Sequence, residues 1–373
     1  MIILVKRGTA MFLKDNKKTT YIIAEAGVNH NGSLKMALDL IDAAASAGAD
    51  AVKFQTFLAK NLARRSAPKA EYQKQTMGEE SQFEMLSRLE LAQGDHQTLL
   101  EHCASRKIDF LSTPFDEESL SFLTDELRLR MIKLGSGEIT NAPLLLQAAR
   151  SGVSVILSTG MSTLGEVESA LSCLAFGYLN SQEKPSAEAF LAAYASREGE
   201  EALERNVTLL HCTTEYPAPF EDVNLLSMLT LKRAFNLPVG YSDHTQGIAV
   251  PVAAAALGAS VIEKHFTLDK GLPGPDHRAS LEPGELSCMV QSVRQVEASL
   301  GNGFKVPAPS ERENRIIVRK SLVAKGSIPA GTEFSESNLC VKRPGTGISP
   351  FEYWSLLGRK STADFCDDEE IRV

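Results

Sequence analysis

The chain has 373 residues, 43% hydrophobic and 23% charged, with 39 basic residues against 47 acidic ones and a net charge of −8. That acidity excludes general nucleic-acid binding, which needs basic surface to displace counterions, but leaves room for an anionic small molecule in a locally positive pocket. No stretch reaches the roughly 18 apolar residues that span a bilayer, and the apolar run at the start is too short for a secretory leader.

Cys103, Cys173, Cys212, Cys288, Cys340 and Cys366 form no close pairs in the sequence. Scattered thiols in a long chain are expected to be reduced, so the expected compartment is the cytoplasm, with no membrane partner. Taken in chain order, β-rich runs fall at 21–25, 51–55, 109–112, 131–134, 153–158, 207–211, 239–241 and 261–265, eight in all. Helical stretches separate them. At 34–47, Leu34, Ala37, Leu38, Ile41 and Ala44 share one helical side, and Gly48 supplies a stop before the strand that starts at Ala51. Similar units recur at 141–152 and 247–258. Alternating βα units imply a parallel sheet, and eight of them predict a closed (β/α)8 TIM barrel. No GxGxxG follows the first strand and no GxxxxGK[ST] occurs anywhere, which argues against an open nucleotide-binding sheet.

Two segments break the rhythm. The Ala/Glu-rich stretch 180–206 reads as a surface insertion with short helices of its own and no part in chemistry. Glycines and prolines in 301–310 mark a linker, and short β runs with turn glycines follow. The predicted organisation is an N-terminal extension (1–20), a catalytic barrel (21–300), a linker (301–320) and a small β-rich domain (321–373). At about 50 residues the last is marginal alone, and it is expected to lean on a barrel, its own or a partner's.

Active sites of such barrels form at the C-terminal ends of the strands. Polar residues crowd there: Glu25, with Asn29, His30 and Asn31 just beyond; Lys53 and Gln55; Ser112 and Thr113; Lys133, Ser136 and Glu138; Ser158 and Thr159; His211, Thr213, Thr214 and Tyr216; Ser242, Asp243 and His244; Glu263 and His265. A purely structural barrel needs no such set. His244 and His265 close successive strands, where neutral imidazoles suit a divalent metal with coordination positions left open, or else hydrogen-bond backbone at the rim. Lys53 and Lys133 suit a Schiff-base nucleophile or an anchor for phosphate and carboxylate; the neighbouring hydroxyls and glycines favour the anchor. Glu25 and Glu138 read as acid–base groups, as acceptors of substrate hydroxyls or as solvated rim carboxylates. Three loops add candidates: 272–277, which brings Asp276 over the mouth; 67–73, read as a lid or substrate loop; and 342–345, a rigid turn presenting Arg343.

The runs Ile22-Ile23-Ala24-Glu25, Val52-Lys53-Phe54-Gln55, Lys133-Leu134-Gly135-Ser136-Gly137-Glu138, Tyr241-Ser242-Asp243-His244, Glu263-Lys264-His265 and Pro273-Gly274-Pro275-Asp276 together resemble the N-acetylneuraminate (sialic acid) synthase family. The region from Gly301, ending in Lys342-Arg343-Pro344-Gly345, resembles that family's C-terminal antifreeze-like (SAF) domain. The resemblance implies a synthase that condenses phosphoenolpyruvate with an open-chain N-acetylated aldose. It implies His244 and His265 as manganese or magnesium ligands, and Lys53, Thr113, Lys133, Ser136, Ser158, Thr214 and Ser242 as the phosphoenolpyruvate site. Glu25, Gln55, Glu138, Tyr216 and Asp276 match residues around the sugar, and Glu25, Lys53, His244 and His265 make up the expected catalytic set. Thr214 departs from the asparagine of some members. Arg343 matches an arginine inserted into the neighbouring subunit's site, which implies a domain-swapped homodimer. The expected acceptor is N-acetylmannosamine, giving N-acetylneuraminate. The alternatives are a 2,4-diacetamido-trideoxyhexose giving N,N'-diacetyllegionaminate, or a related sugar giving pseudaminate. A class I aldolase using Lys53 or Lys133 to form an imine is the rival chemistry.

Overall fold

The structure, a computed structural model, describes residues 19–65 and 81–372. All eight expected strands form: β1 (Tyr21–Gly27), β2 (Ala51–Thr56), β3 (Asp109–Pro114), β4 (Met131–Leu134), β5 (Ser154–Ser158), β6 (Val207–His211), β7 (Val239–Asp243) and β8 (Val261–His265). They pair in parallel in the order β3-β2-β1-β8-β7-β6-β5-β4, and β3 lies beside β4 to close the barrel. This is the expected TIM-type barrel. Near its mouth β1 carries a bulge between Glu25 and Gly27, and Gly27 takes a positive φ of 54°, a conformation that favours glycine.

Period-two alternation sorts the strand residues into two populations. Ile23, Ala51, Leu111, Met131, Ile156, Leu210 and Val261, from seven of the strands, pack together as an apolar floor inside the barrel. On β7 the corresponding residue is Gly240, where a Cβ would lie 2.3 Å from the Val261 carbonyl oxygen and 2.7 Å from Leu210 Cδ2. No side chain fits at that place. Alternate residues such as Ile22, Val52, Phe54, Ile132 and Leu157 join the main core, which includes helix residues Leu40, Ile41 and Leu286.

Local signals set the helices. Ser33 caps the Leu34–Ala47 helix by accepting from the Met36 amide, and Gly48, at φ 84°, ends it. Its buried face is Ala37, Leu40, Ile41, Ala44 and Ala47, rotated slightly from the predicted one; Leu34 and Leu38 are only partly buried. The insertion folds as two helices, Ala187–Tyr194 and Arg197–Asn206, and the Phe190 ring meets Phe176 of the Leu164–Tyr178 helix edge-on at 5.2 Å.

The chain divides into two compact units, one ending at Gly301 and the next starting at Asn302. In the second, β9 (Ser321–Ala324) and β10 (Leu339–Lys342) pair antiparallel over a core of Leu322, Ala324, Ile328, Phe334, Leu339, Leu356, Phe365 and Ile371. The segment read as a linker contains a helix, Arg312–Val318, whose Ile316 carbonyl accepts from the Gly345 amide of this unit. No helix among the described residues is long and apolar enough to cross a membrane.

Candidate active site

Two residues above the apolar floor, the inward-facing sequence positions hold Glu25, Lys53, Thr113, Lys133, Ser158, Cys212, Ser242 and Glu263. One more step of two brings Gln55, Thr214, His244 and His265. The alternation that keeps a strand's core face apolar thus stacks a polar layer on top of it, at the C-terminal mouth. A cavity of about 320 Å³ opens there. Glu25, Lys53, Gln55, Thr113, Lys133 and Ser136 line it. So do Ser158, Thr214, Tyr216, His244, His265 and Asp276.

Three expected residues are placed otherwise. Ser242 is buried, and its hydroxyl donates to Glu263 Oε1 at 2.8 Å. Glu138 does not line the cavity; its carboxylate accepts from Asn141 Nδ2 at 2.7 Å. Arg343 belongs to the second unit, exposed just after β10. The 67–73 loop lies outside the described residues.

The cavity wall holds a web of charge. Lys53 Nζ lies 2.7 Å from Glu25 Oε2, 3.5 Å from Glu263 Oε2, and donates to Thr113 Oγ1 at 3.0 Å. Lys133 Nζ lies 3.4 Å from Glu263 Oε1, its only ion pair among the described residues, so most of its donor capacity faces the cavity. Burial pushes the Glu263 carboxyl up, but Lys133, Lys53 and the Ser242 hydroxyl outweigh it and hold the group well below the usual carboxylate range. For Glu25 burial wins over Lys53, and its pKa rises to about 7. Burial works against the Lys53 ammonium, yet Glu25 and Glu263 overcome it and raise its pKa. Near neutral pH the Lys53 ammonium and the Glu263 carboxylate are therefore both held ionised, while Glu25 lies near its midpoint.

Hydroxyls and a close backbone complete this cationic side. Ser158 Oγ is buried with no hydrogen-bond partner among the described residues. Ser136 Oγ accepts from the Gly160 amide at 3.0 Å and sits 3.1 Å from Cys212 Sγ. A Cβ on Gly160 would fall 2.3 Å from Thr214 Oγ1, 2.8 Å from Ser136 Oγ and 2.9 Å from Cys212 Sγ. Gly160→Ala should therefore push this cradle apart and raise the KM for an anionic substrate by on the order of tenfold, the cost of about one charged hydrogen bond. Steady-state kinetics check it, and an unchanged KM would mean that no ligand reaches this part of the wall.

The two imidazoles share the cavity, their ring centroids 5.6 Å apart, with the Tyr216 ring 4.2 Å from His244 and 5.4 Å from His265. His244 Nδ1 lies 2.6 Å from the Thr213 carbonyl, which only accepts, so Nδ1 carries the proton and Nε2 keeps its lone pair. His265 Nδ1 is buried without a hydrogen-bond partner among the described residues and lies 3.9 Å from Asp276 Oδ2. Burial lowers the pKa of His244 to about 4 and, with His244 beside it, that of His265 well below its usual value. Burial alone raises Asp276 to about 6. Both rings are neutral near pH 7, the form that ligates metals.

Sequence reasoning places Glu263 at the end of the eighth strand but gives it no role, and it passes over Cys212. Counting two residues up from the floor finds both: Val261 leads to Glu263, and Leu210 leads to Cys212. Lys264, between two inward residues, points the other way and donates to the buried Asp243 carboxylate at 2.5 Å. Asn29 braces the rim instead of lining the cavity, donating to the Phe266 carbonyl and to Ser280 Oγ.

Fold and rim define a (β/α)8-barrel enzyme whose cavity sets a cationic cradle beside two uncharged imidazoles. Residues 40–305 match the NeuB family and residues 319–371 the SAF domain. The chain belongs to the NeuB family of sialic acid synthases, as the resemblance implies. It is 51% identical to the N,N'-diacetyllegionaminic acid synthase of Campylobacter jejuni, over 95% of this chain and 99% of that protein. Identity to the N,N'-diacetyllegionaminic acid synthase of Legionella pneumophila is 46%, over 95% and 92%. The crystal structure of the N-acetylneuraminic acid synthetase of Leptospira borgpetersenii matches with a TM-score of 0.63 at 34% identity, covering 79% of this chain and 90% of that one.

These relatives correct one expectation. N-acetylneuraminate from N-acetylmannosamine is not the reading that identities of 51% and 46% to diacetyllegionaminic acid synthases support. The motifs that carry the resemblance line the cationic and imidazole sides of the cavity. Nothing in them reports the groups by which one acceptor sugar differs from another.

Proposed function

We propose that this enzyme condenses phosphoenolpyruvate with an open-chain 2,4-diacetamido-trideoxyhexose, giving N,N'-diacetyllegionaminate and phosphate. The observation that carries the chemistry is the juxtaposition, on one rim, of Lys53 and Lys133 with the Ser158 hydroxyl, unpartnered among the described residues, and two neutral imidazoles. The acceptor follows from the two diacetyllegionaminic acid synthases.

Each residue's part follows from its chemistry. Lys133, Ser136 and Ser158 are the donors for the phosphate and carboxylate, with the Gly160 turn packed close against them, and Lys53 is fixed by Glu25, Glu263 and Thr113 so that its charge stays in place. Holding the enol beside the aldehyde replaces an encounter in solution with a geometry set in advance. C3 of the enol bonds to the aldehyde carbon, whose oxygen gains a proton. Water then adds at C2, and the C2–O bond to phosphate breaks. Glu25, with a pKa near 7, can give or take a proton at this rim. Lys53 and Lys133 offset the charge that develops on phosphate and carboxylate oxygens.

His244 and His265 fit a divalent manganese or magnesium ion: neutral rings, a lone pair fixed on His244 Nε2, and an orphaned Nδ1 on His265. Among the described residues no set of three or more His, Cys, Asp or Glu side chains is spaced to hold a metal, so substrate and water would fill the remaining positions. Such an ion, when bound, polarises the aldehyde carbonyl as a Lewis acid.

A Schiff-base aldolase needs a lysine with a depressed pKa; Lys53 is raised instead, which favours the anchor. Arg343 is assigned to the site of a neighbouring subunit in a homodimer, a reading supported by its exposure and by the exposed Ile316, Ile317 and Val318 on the same unit. Arg343→Ala should raise the acceptor KM about ten- to a hundredfold, the effect of losing a charged hydrogen bond; unchanged kinetics would remove it from the site.

Phosphate release with phosphoenolpyruvate and each acceptor in turn tests the assignment. The diacetamido sugar should give the higher kcat/KM, and a preference for N-acetylmannosamine would reject the proposed product.

A further inference from the structure

One wall of the cavity has no part in the chemistry above. Val28, Phe57, Met85 and Leu89 form a hydrophobic cluster separate from the main core, with Leu62, Leu86 and Phe115 packed against it. All but Phe57 line the cavity. A satellite cluster of this kind normally lies sealed under a loop; this one faces the site that holds the charged groups.

The wall is also built firmly. Met85, Leu86 and Leu89 come from the Gln82–Leu89 helix, which Ser81 and Glu84 close with a reciprocal capping box. Close to its C-terminal end, the Arg88 carbonyl oxygen lies so near Gly32 that a Cβ there would be 2.6 Å away. Phe115 meets Phe57 edge-on at 6.2 Å. Met85 and Leu89 are 1% and 2% exposed, so they have little room to move aside for a polar group. Gln82, one helical turn from Met85 and Leu86, is the polar lining residue on this helix.

We propose that this wall determines which acceptor is used, taking the methyl of the second acetamido group and the C6 methyl of the sugar, with Gln82 hydrogen-bonding the amide. The inference rests on the acceptor class assigned above and deepens it. Apolar surface gains from covering methyl groups, whereas a hydroxyl pressed against it loses water and finds no partner. N-acetylmannosamine carries hydroxyls at C4 and C6, where the diacetamido-trideoxy sugar carries an acetamido group and a methyl. An apolar wall discriminates such differences by about ten- to a hundredfold, which sets the size of effect to look for.

The experiment measures kcat/KM for both acceptors at saturating phosphoenolpyruvate in wild type, Met85→Gln, Leu86→Asn and Met85→Leu. Leu86 is only half-buried, so its variant keeps the test alive if Met85→Gln fails to fold. The ratio of diacetamido to monoacetamido kcat/KM should fall by at least about tenfold in Met85→Gln and Leu86→Asn and hold in Met85→Leu. KM for phosphoenolpyruvate, which reads the lysines and hydroxyls, should not follow it. An unchanged ratio in a folded polar variant overturns the wall as selector, whatever the wild type prefers. A wild type that prefers the monoacetamido sugar overturns the acceptor assignment instead, and the shift between variants still decides the wall.

Discussion

His265→Ala should lower kcat by on the order of 10³-fold while the barrel stays folded, an effect at the upper end of those seen when one transition-state stabilising group is removed. The ring closes β8 at the cavity wall, and its orphaned Nδ1 means that truncation breaks no hydrogen bond described there. Its neighbours include the His244 and Tyr216 rings and Asp276. Calorimetric titration with Mn²⁺ gives a readout independent of turnover: binding should be lost in the variant and present in the wild type. Full turnover, or undiminished Mn²⁺ binding, would remove His265 from the ligand set.

Glu263→Gln should have the next largest effect, a fall in kcat of about a hundredfold, in the range of losing one preorganised electrostatic group. Glu263 is the carboxylate common to both lysines, and Ser242, its register partner on β7, donates to it. Glutamine keeps the shape and can still accept from Ser242, but presents no charge to either ammonium. Lys53 and Lys133 then lose the group that fixes their spacing, while the cavity becomes more positive. KM for phosphoenolpyruvate should therefore stay level or fall as kcat drops. A loss of stability alone would lower kcat with the folded fraction and leave KM unchanged. Because Lys53 retains Glu25 and Lys133 reaches the cavity, the stability cost should stay below the ~3–5 kcal/mol typical of orphaning a buried charge. Denaturant titration beside the kinetics separates the two, and unaltered kcat would show that the lysines need no common partner.

Much of this was legible in the sequence because a barrel repeats one rule eight times. Short β-rich runs ending in polar residues place the strands to within about two residues, and most expected site residues converge on one cavity. The misses have physical reasons. Glu263 is legible as a polar residue closing the eighth strand, but no motif marks it as the carboxylate shared by two lysines, although its inward face follows from Val261 two residues earlier. Glu138 looks like a rim acid in sequence, but the turn at Ser136–Glu138 aims it at Asn141. The helix at Arg312–Val318 was masked by the glycines and prolines just ahead of it. The acceptor was hardest to read, because the apolar wall comes from four separate segments that no single motif joins.

The most direct test of the central claim incubates the enzyme with phosphoenolpyruvate, the diacetamido sugar and Mn²⁺, and follows phosphate and product mass together, with a parallel sample treated with pyruvate and borohydride. The expected result is one phosphate released per nine-carbon keto acid formed, with no adduct on the protein. A pyruvate adduct trapped on Lys53 or Lys133, with no phosphate released from phosphoenolpyruvate, would contradict the account.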